Sequence, residues 1–279
     1  MKQPVVSIIM ATRDHGRFIA ASIESALNQS FKDFELIIVN DGSVDNTEAI
    51  VDSYIRRDPR IVYLKNETNQ GVPKSFNFAM KVAKGKYIAR IDSDDAWIGE
   101  DKLKKQVAFL EAHPDYAAVG GGMVVVDPQS NELFRYLKPE TDKQTRANAL
   151  ITNPIANSTS VCRKDAVVAI GGCDESYPFN EDWDFWLHIG LIGKFYNFPE
   201  YFSYYTMTGR NKSMRFLRQH TKVALSIIRK YKNHYPSYRK GLFVNTLQYL
   251  YGFVPFFIRL RLNPFLSRVK KKLAGSSKV

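Results

Sequence analysis

Four short apolar runs constrain this chain more than any other feature. Val5–Met10, Phe34–Val39, Ile61–Leu64 and Tyr87–Ile91 are rich in β-branched and aromatic residues. Between them lie stretches with apolar residues at helical spacing: Arg17–Asn28 carries Phe18, Ile19, Ile23, Ala26 and Leu27, and Val72–Ala83 follows the third run. Strand and helix alternate with short links, which predicts an α/β fold with a largely parallel sheet and helices on both faces. Such sheets bind ligands beyond the carboxyl ends of their strands. Asp45 with Glu48 three residues on has the pattern of a capping box for a helix running to Arg57.

Further along, a helix is expected from Asp101 to about His113, and a strand over Ala117–Val126 interrupted by Gly120-Gly121-Gly122. From Asp127 to Asn157 no period is legible. Lys164–Ile170 and Asn180–Ile192 read as helices, and Tyr201–Tyr205 as a short strand. The 279 residues suit one large α/β domain with an appendage. Two cysteines, Cys162 and Cys173, make neither a disulfide framework nor a metal site, and imply a reducing compartment. Met1-Lys2-Gln3-Pro4 leads straight into the first strand, so no secretory signal is expected.

Acidic residues gather at the strand ends. Arg90-Ile91-Asp92-Ser93-Asp94-Asp95 closes the fourth run. Residues two apart on an extended segment point the same way, so Asp92 and Asp94 can face one site. Carboxylates at a buried strand end need a compensating cation, and hard oxygen ligands suit Mn²⁺ or Mg²⁺ shared with substrate phosphates. By itself the run reads equally well as a solvated acidic turn. Asn40-Asp41-Gly42-Ser43 ends the second run, where an Asp can accept from a ligand, although an ordinary Asx turn has the same pattern. Asn180-Glu181-Asp182-Trp183-Asp184-Phe185-Trp186 places acids in the first turn of a helix, as the macrodipole also prefers, among aromatics of the kind that line sugar sites.

The net charge of +12 hides an asymmetry. Beyond Thr208 stand 17 of the 40 Lys and Arg and none of the 28 Asp and Glu, so the preceding body is net −5. A polyanionic surface is the expected partner of such a tail. Within it Arg215–Tyr231 reads as a basic amphipathic helix. Leu242–Ile258 is aromatic and apolar but holds Asn245, Gln248 and Pro255. A span needs about 20 apolar residues, so an interfacial segment is the reading, with Arg259-Leu260-Arg261 and Lys270-Lys271-Lys272 near anionic headgroups. A helical hairpin packed on the body is the alternative.

Taken together, the run from Val5 to about Ser213 resembles the family-2 glycosyltransferases of the GT-A fold. The matching pieces are Val-Ser-Ile-Ile-Met-Ala-Thr-Arg (6–13), Ser-Ala-Leu-Asn-Gln-Ser (25–30), the segment 34–47, Asn69-Gln70-Gly71, Asn77, the segment 85–95, Gly171-Gly172-Cys173-Asp174-Glu175 and Glu181-Asp182-Trp183-Asp184. The resemblance implies a Rossmann-like nucleotide-diphospho-sugar transferase domain over 1–208, with a mostly parallel central sheet flanked by helices, and a basic helical C-terminal region over 209–279. It implies an inverting transfer from a nucleotide sugar, a UDP-sugar above all, to a saccharide or lipid-linked saccharide in cell-surface glycan synthesis. By the same resemblance Thr12, Asp41, Arg90, Asp92 and Ser93 hold the donor nucleotide and Asp94 the Mn²⁺ or Mg²⁺. Asp182 is the general base, and Glu181 and Trp183 lie on the acceptor side. The enzyme would act in the cytoplasm, peripheral on the inner face of the membrane. Many members carry an Arg-x-His element whose His can join the metal or diphosphate; the corresponding stretch Tyr205–Ser213 has no His, and Arg210 or Lys212 would neutralise the diphosphate instead. Two other classes compete. A nucleic-acid-binding protein fits the tail but not the strand-end acids, and no nucleic acid is expected as partner. A metal-dependent nucleotidyltransferase fits the acids but lacks a Gly-rich phosphate loop.

Overall fold

The computed structural model describes residues 3–207, 216–254 and 258. The four runs are strands, in the order β1 (Val6–Thr12), β2 (Phe34–Asp41), β3 (Ile61–Asn66) and β4 (Tyr87–Arg90). They pair in parallel as β3-β2-β1-β4, and their residues are almost wholly buried in β1, β2 and β4. Burial on both faces is why these strands read as continuous apolar runs.

Alternation along each strand still sorts the side chains between two cores. Ile9, Ile37 and Val39 enter one cluster, while Ile8, Met10, Leu36 and Ile38 enter the other. The second cluster is closed by α1 (Ile19–Leu27), α2 (Thr47–Ile55) and α4 (Lys102–Ala112). The first is closed by α3 (Val72–Met80), α6 (Lys164–Ala169) and α7 (Glu181–Ile192). Helix α2 begins at Thr47 without a side-chain cap. The expected capping box is absent because both groups are engaged elsewhere. Asp45 accepts from the Thr47 and Gly16 N–H groups, and Glu48 pairs with Lys65 at 2.8 Å.

Beyond β4 the sheet turns mixed. The two-residue β5 (Ala96–Trp97) follows the acidic run. Strands β6 (Tyr116–Val126), β7 (Glu132–Tyr136), β8 (Val161–Arg163) and β9 (Lys194–Thr206) complete it. The full order is β3-β2-β1-β4-β8-β6-β9-β5, with β7 on β6. Pairs β4–β8, β8–β6, β6–β7 and β9–β5 are antiparallel, and β6–β9 is parallel. The parallel half thus ends at β4, beside the acidic run. The three glycines do not interrupt β6. A Cβ on Gly121 would meet the Phe202 ring at 2.5 Å, so glycine lets β9 close on β6. Strand β9 is far longer than the expected Tyr201–Tyr205. Its register against β6 shifts between Asn197 and Tyr201, which is where Pro199 is accommodated. The stretch without a legible period holds β7 and α5 (Asp142–Asn148), whose N-terminus is a capping box of Thr141 and Gln144.

The described part of the C-terminal region is helical. It comprises α8 (Leu217–Lys230) and α9 (Tyr238–Tyr251), packed as a hairpin. It shares the core of the body: Ala224, Ile227, Ile228, Tyr231 and Tyr235 lie in one cluster with Phe185, Trp186 and Ile189 of α7. Tyr235 donates to Leu187 O at 2.6 Å, and Lys230 pairs with the buried Asp184 at 2.8 Å. No helix among the described residues is long and apolar enough to cross a membrane.

Candidate active site

A cleft opens where the parallel strands end, lined by Ile9 and Ala11 of β1, Val72 and Phe76 of α3, and Arg90, Ile91 and Asp92. Thr12 closes β1 beside it. Its residue is 2% exposed and its Oγ1 has no hydrogen-bond partner. A buried hydroxyl left unpaired carries a free-energy cost.

Asp41, at the end of β2, is committed to the protein itself. Its Oδ1 accepts from Asn66 Nδ2 and from Gln70 N, both at 2.8 Å, and its Oδ2 from Gly71 N at 2.9 Å. The carboxylate thereby ties the β3–α3 loop to the strand end. About four acceptor positions exist on a carboxylate, so one is left for a ligand. Gly71 has φ +91° and Gly42 φ +69°, backbone that glycine adopts freely.

Arg90 is 4% exposed and sits between two rings, with its guanidinium carbon 4.5 Å from the Phe76 centroid and 5.1 Å from that of Phe185. Its nearest side-chain acceptor is Cys173 Sγ at 3.9 Å, a weak one. Its own burial works against the charge, and the neighbouring acids Asp92, Asp182 and Glu181 outweigh it, so the guanidinium stays protonated. Burial and the Arg90 charge act oppositely on the thiol: burial pushes Cys173 up to about 12, and Arg90 eases it.

The acidic run is electrostatically strained. Burial raises the pKa of Asp92, which Arg90 eases and Asp182 raises again. Burial also raises Asp94, which His15 eases and Asp92 raises. The run is not extended as expected but turns at Asp92–Asp95, closed by Asp95 N–H to Asp92 O at 3.0 Å, and Ser93 Oγ lies 2.7 Å from His15 Nδ1. Ser93 therefore braces the β1–α1 loop in this structure, where a donor contact was expected. Asp95 is 2% exposed and carries no ligand. It accepts from Ser158 Oγ at 2.5 Å and from Thr206 N at 3.3 Å, joining the run to β9.

Opposite stand the acids of α7. Asn180 enters the helix at φ +57°, with Nδ2 donating to His220 O at 2.8 Å. Burial first, then Asp182, pushes Glu181 up to about 7. Asp182 is raised by burial and eased by Arg90 and Lys138. Its Oδ2 accepts from Asn153 Nδ2 at 2.8 Å and its Oδ1 from Trp183 N at 2.8 Å. Trp183 departs from expectation. It is 5% exposed, and its indole N–H donates to Ala149 O at 2.7 Å. The side chain is part of the core, so it forms no wall for an acceptor here.

The segment 152–160 joins the two sets of acids, and no periodic signal marks it. Asn153 holds Asp182, and four residues on Asn157 Nδ2 donates to Asp92 Oδ1 at 2.9 Å. Ser158 Oγ accepts from Asp92 N at 3.0 Å. A 3₁₀ turn, Asn157–Thr159, fixes the spacing, and its carbonyls accept from the Trp97 indole at 2.6 Å and Gln106 Nε2 at 2.8 Å. The only sequence hint is the density of short polar residues in Asn-Pro-Ile-Ala-Asn-Ser-Thr-Ser (153–160).

No group of three or more His, Cys, Asp or Glu converges as a metal site among the described residues. Mn²⁺ and Mg²⁺ take one or two carboxylates and complete their shell with phosphate oxygens and water. Asp94 and Asp92, both raised by burial and Asp94 further by the charge of Asp92, fit that demand. Arg210 and Lys212 lie outside the described residues.

A sequence model described as "Glycosyl transferase family 2" matches residues 7–171. The chain is 32% identical over 188 residues to UDP-Glc:alpha-D-GlcNAc-diphosphoundecaprenol beta-1,3-glucosyltransferase WfaP of Escherichia coli, covering 66% of this chain and 70% of that one. Among solved structures it resembles S. aureus TarS 1–349 in complex with UDP-GlcNAc, with TM-score 0.64 at 20% identity over 85% of this chain and 70% of that one. It also resembles the mannosyltransferase PcManGT from Pyrobaculum calidifontis in complex with GDP-Man and Mn²⁺, with TM-score 0.68 at 14% identity over 99% and 85%.

Proposed function

The chain belongs to glycosyl transferase family 2, and from that premise we propose that it transfers a sugar, with inversion, from a UDP-sugar to a saccharide or lipid-linked saccharide. The setting is cell-surface glycan assembly at the cytoplasmic face of a membrane, with the basic C-terminal region toward anionic lipid. WfaP, with a diphosphoundecaprenol acceptor in its name, supports that setting.

One observation carries the reading. Acids from two segments some ninety residues apart act on one buried arginine, and a single loop holds one carboxylate of each set. Thr12, with its unpartnered hydroxyl, and the remaining acceptor position of Asp41 receive the nucleotide. Asp94 would hold Mn²⁺ or Mg²⁺, which supplies charge to the departing diphosphate. Arg90 faces the same developing charge with donors that no carboxylate occupies. Asp182 accepts the proton of the attacking hydroxyl. Asn153 and the Trp183 N–H fix its two oxygens and favour the ionised form that a base requires. Glu181, pushed to about 7, is partly protonated near neutrality and is suited to orienting the acceptor through a hydrogen bond.

The test is UDP release from a panel of UDP-sugars with Mn²⁺ or Mg²⁺, with and without saccharide acceptors. Asp182→Asn should keep UDP affinity and lose ~10²-fold or more in turnover, the usual size of a missing general base. Near-wild-type turnover would remove Asp182 from the reaction and return the search to Glu181.

A further inference from the structure

Helix α9 is built inside out. Toward the body it buries Gly241, Val244 and Asn245. Gly241 lies so close to the backbone of Leu150 that a Cβ would stand 2.2 Å from its carbonyl oxygen. Asn245 turns its amide onto Gly241 O at 3.0 Å. Toward solvent it presents its large apolar groups: Phe243 is 64% exposed, Leu247 50%, Leu250 56%, and Phe253 just beyond the helix 56%. These positions are spaced four, three and three apart, so they form one stripe. A surface helix of a water-soluble domain has the opposite arrangement, and a contiguous exposed apolar stripe marks an interaction surface.

The rim names the occupant. Arg239 is exposed at the start of the helix, and the Arg218 guanidinium lies 4.0 Å from the Phe253 centroid. Lys222 and Arg229 are exposed along α8, and no Asp or Glu occurs after Thr208. A second copy of the chain would set these cations against their own counterparts in a two-fold pairing. An anionic bilayer matches both parts, with apolar side chains at the headgroup–acyl boundary and cations at the phosphates. At about 1.5 Å per residue the 14 residues of α9 are too short to cross a bilayer, so the helix lies in its plane. We infer that the stripe Phe243–Leu247–Leu250–Phe253 is the surface by which the enzyme rests on anionic membrane. The inference deepens the proposed lipid-linked acceptor and rests on that reading for its purpose, not for its physics.

The experiment uses the full chain with vesicles of phosphatidylcholine alone or mixed with phosphatidylglycerol. Sedimentation should show salt-sensitive binding to the mixed vesicles and little to the neutral ones. Phe243→Ser with Leu247→Ser should weaken it about tenfold or more, given the worth of two buried apolar side chains, while UDP affinity stays unchanged. Leu247→Cys carrying a polarity-sensitive dye should shift to the blue only with mixed vesicles; Cys162 and Cys173 are buried and shielded from the label. Equal binding to both vesicle types, no binding, or a double variant that binds as wild type would overturn the inference. So would a wild-type dimer in solution that the double variant converts to monomer. Transfer to a water-soluble acceptor is read in parallel: its persistence without vesicle binding would sink the membrane surface and leave the transferase standing. Vesicle binding without transfer would do the reverse.

Discussion

Replacing Asp41 with Asn separates two jobs that sequence patterns cannot tell apart. The carboxylate accepts three donors, two at Oδ1 and one at Oδ2. An asparagine does best with its carbonyl at the doubly occupied position, which turns an NH₂ toward the Gly71 N–H. One charge-assisted bond is lost, a donor faces a donor in a site 5% exposed, and the other two bonds lose their charge. Bonds to charged groups contribute ~1.5–3 kcal/mol and a stranded buried donor costs ~1–3 kcal/mol. The expected loss is therefore ~2–4 kcal/mol. For a chain of this size that is a fall in Tm of about 5–15 °C. UDP affinity should also drop, about tenfold for each 1.4 kcal/mol withdrawn from the nucleotide. Thermal unfolding by circular dichroism gives the first quantity and calorimetric titration with UDP the second. A variant that binds UDP poorly but melts with the wild type would refute the loop-anchoring role, since the three bonds would then contribute nothing to the fold.

Asp94→Ala should abolish the dependence of UDP affinity on Mn²⁺ or Mg²⁺ while leaving the melting temperature close to wild type; titrations with metal and with chelator check it. Asn153→Ala removes the donor to Asp182 Oδ2. The ionised base loses support, its pKa rises further, and the acid limb of the kcat/KM profile should move to higher pH; an unmoved limb removes Asn153 from the positioning of the base. Glu181, about 7 in the folded chain against an ordinary value of 4.5, binds its proton more tightly folded than unfolded. Its contribution is present in full below pH 4.5 and is lost as pH rises through 7, so stability should fall across that window and Glu181→Gln should flatten the slope in urea titrations.

The place of the acids at strand ends was legible because an apolar run and its polar end are local information, although the run itself turns at Asp92–Asp95 where alternation was expected. The parallel half of the sheet was legible for the same reason. Where sequence failed, the deciding contact lay far along the chain. Asn157 meets Asp92 across 65 residues and Asn153 meets Asp182 across 29, and neither sits in a periodic element. Trp183 shares its helix with the acids, yet the packing of α7 on Ala149 turns its indole inward, which no spacing announces. His15 lies against Ser93 and eases Asp94, since the β1–α1 loop folds back to the acidic run. Helix α9 reads as an apolar segment, but only the structure shows that its apolar side faces outward.

On the proposed assignment, the short path from Asn153 to Asn157 is a shared boundary of the donor and acceptor halves. A displacement of that path changes the angle at which Asp92 meets a nucleotide and the angle at which Asp182 meets a hydroxyl together. Occupancy of one proposed half would then change the preferred geometry of the other. By thermodynamic linkage, the factor by which bound donor tightens or loosens acceptor binding must equal the factor by which acceptor acts on donor. An enzyme built in this way has no independent control over its two substrates: selection that sharpens discrimination on one side re-tunes the other.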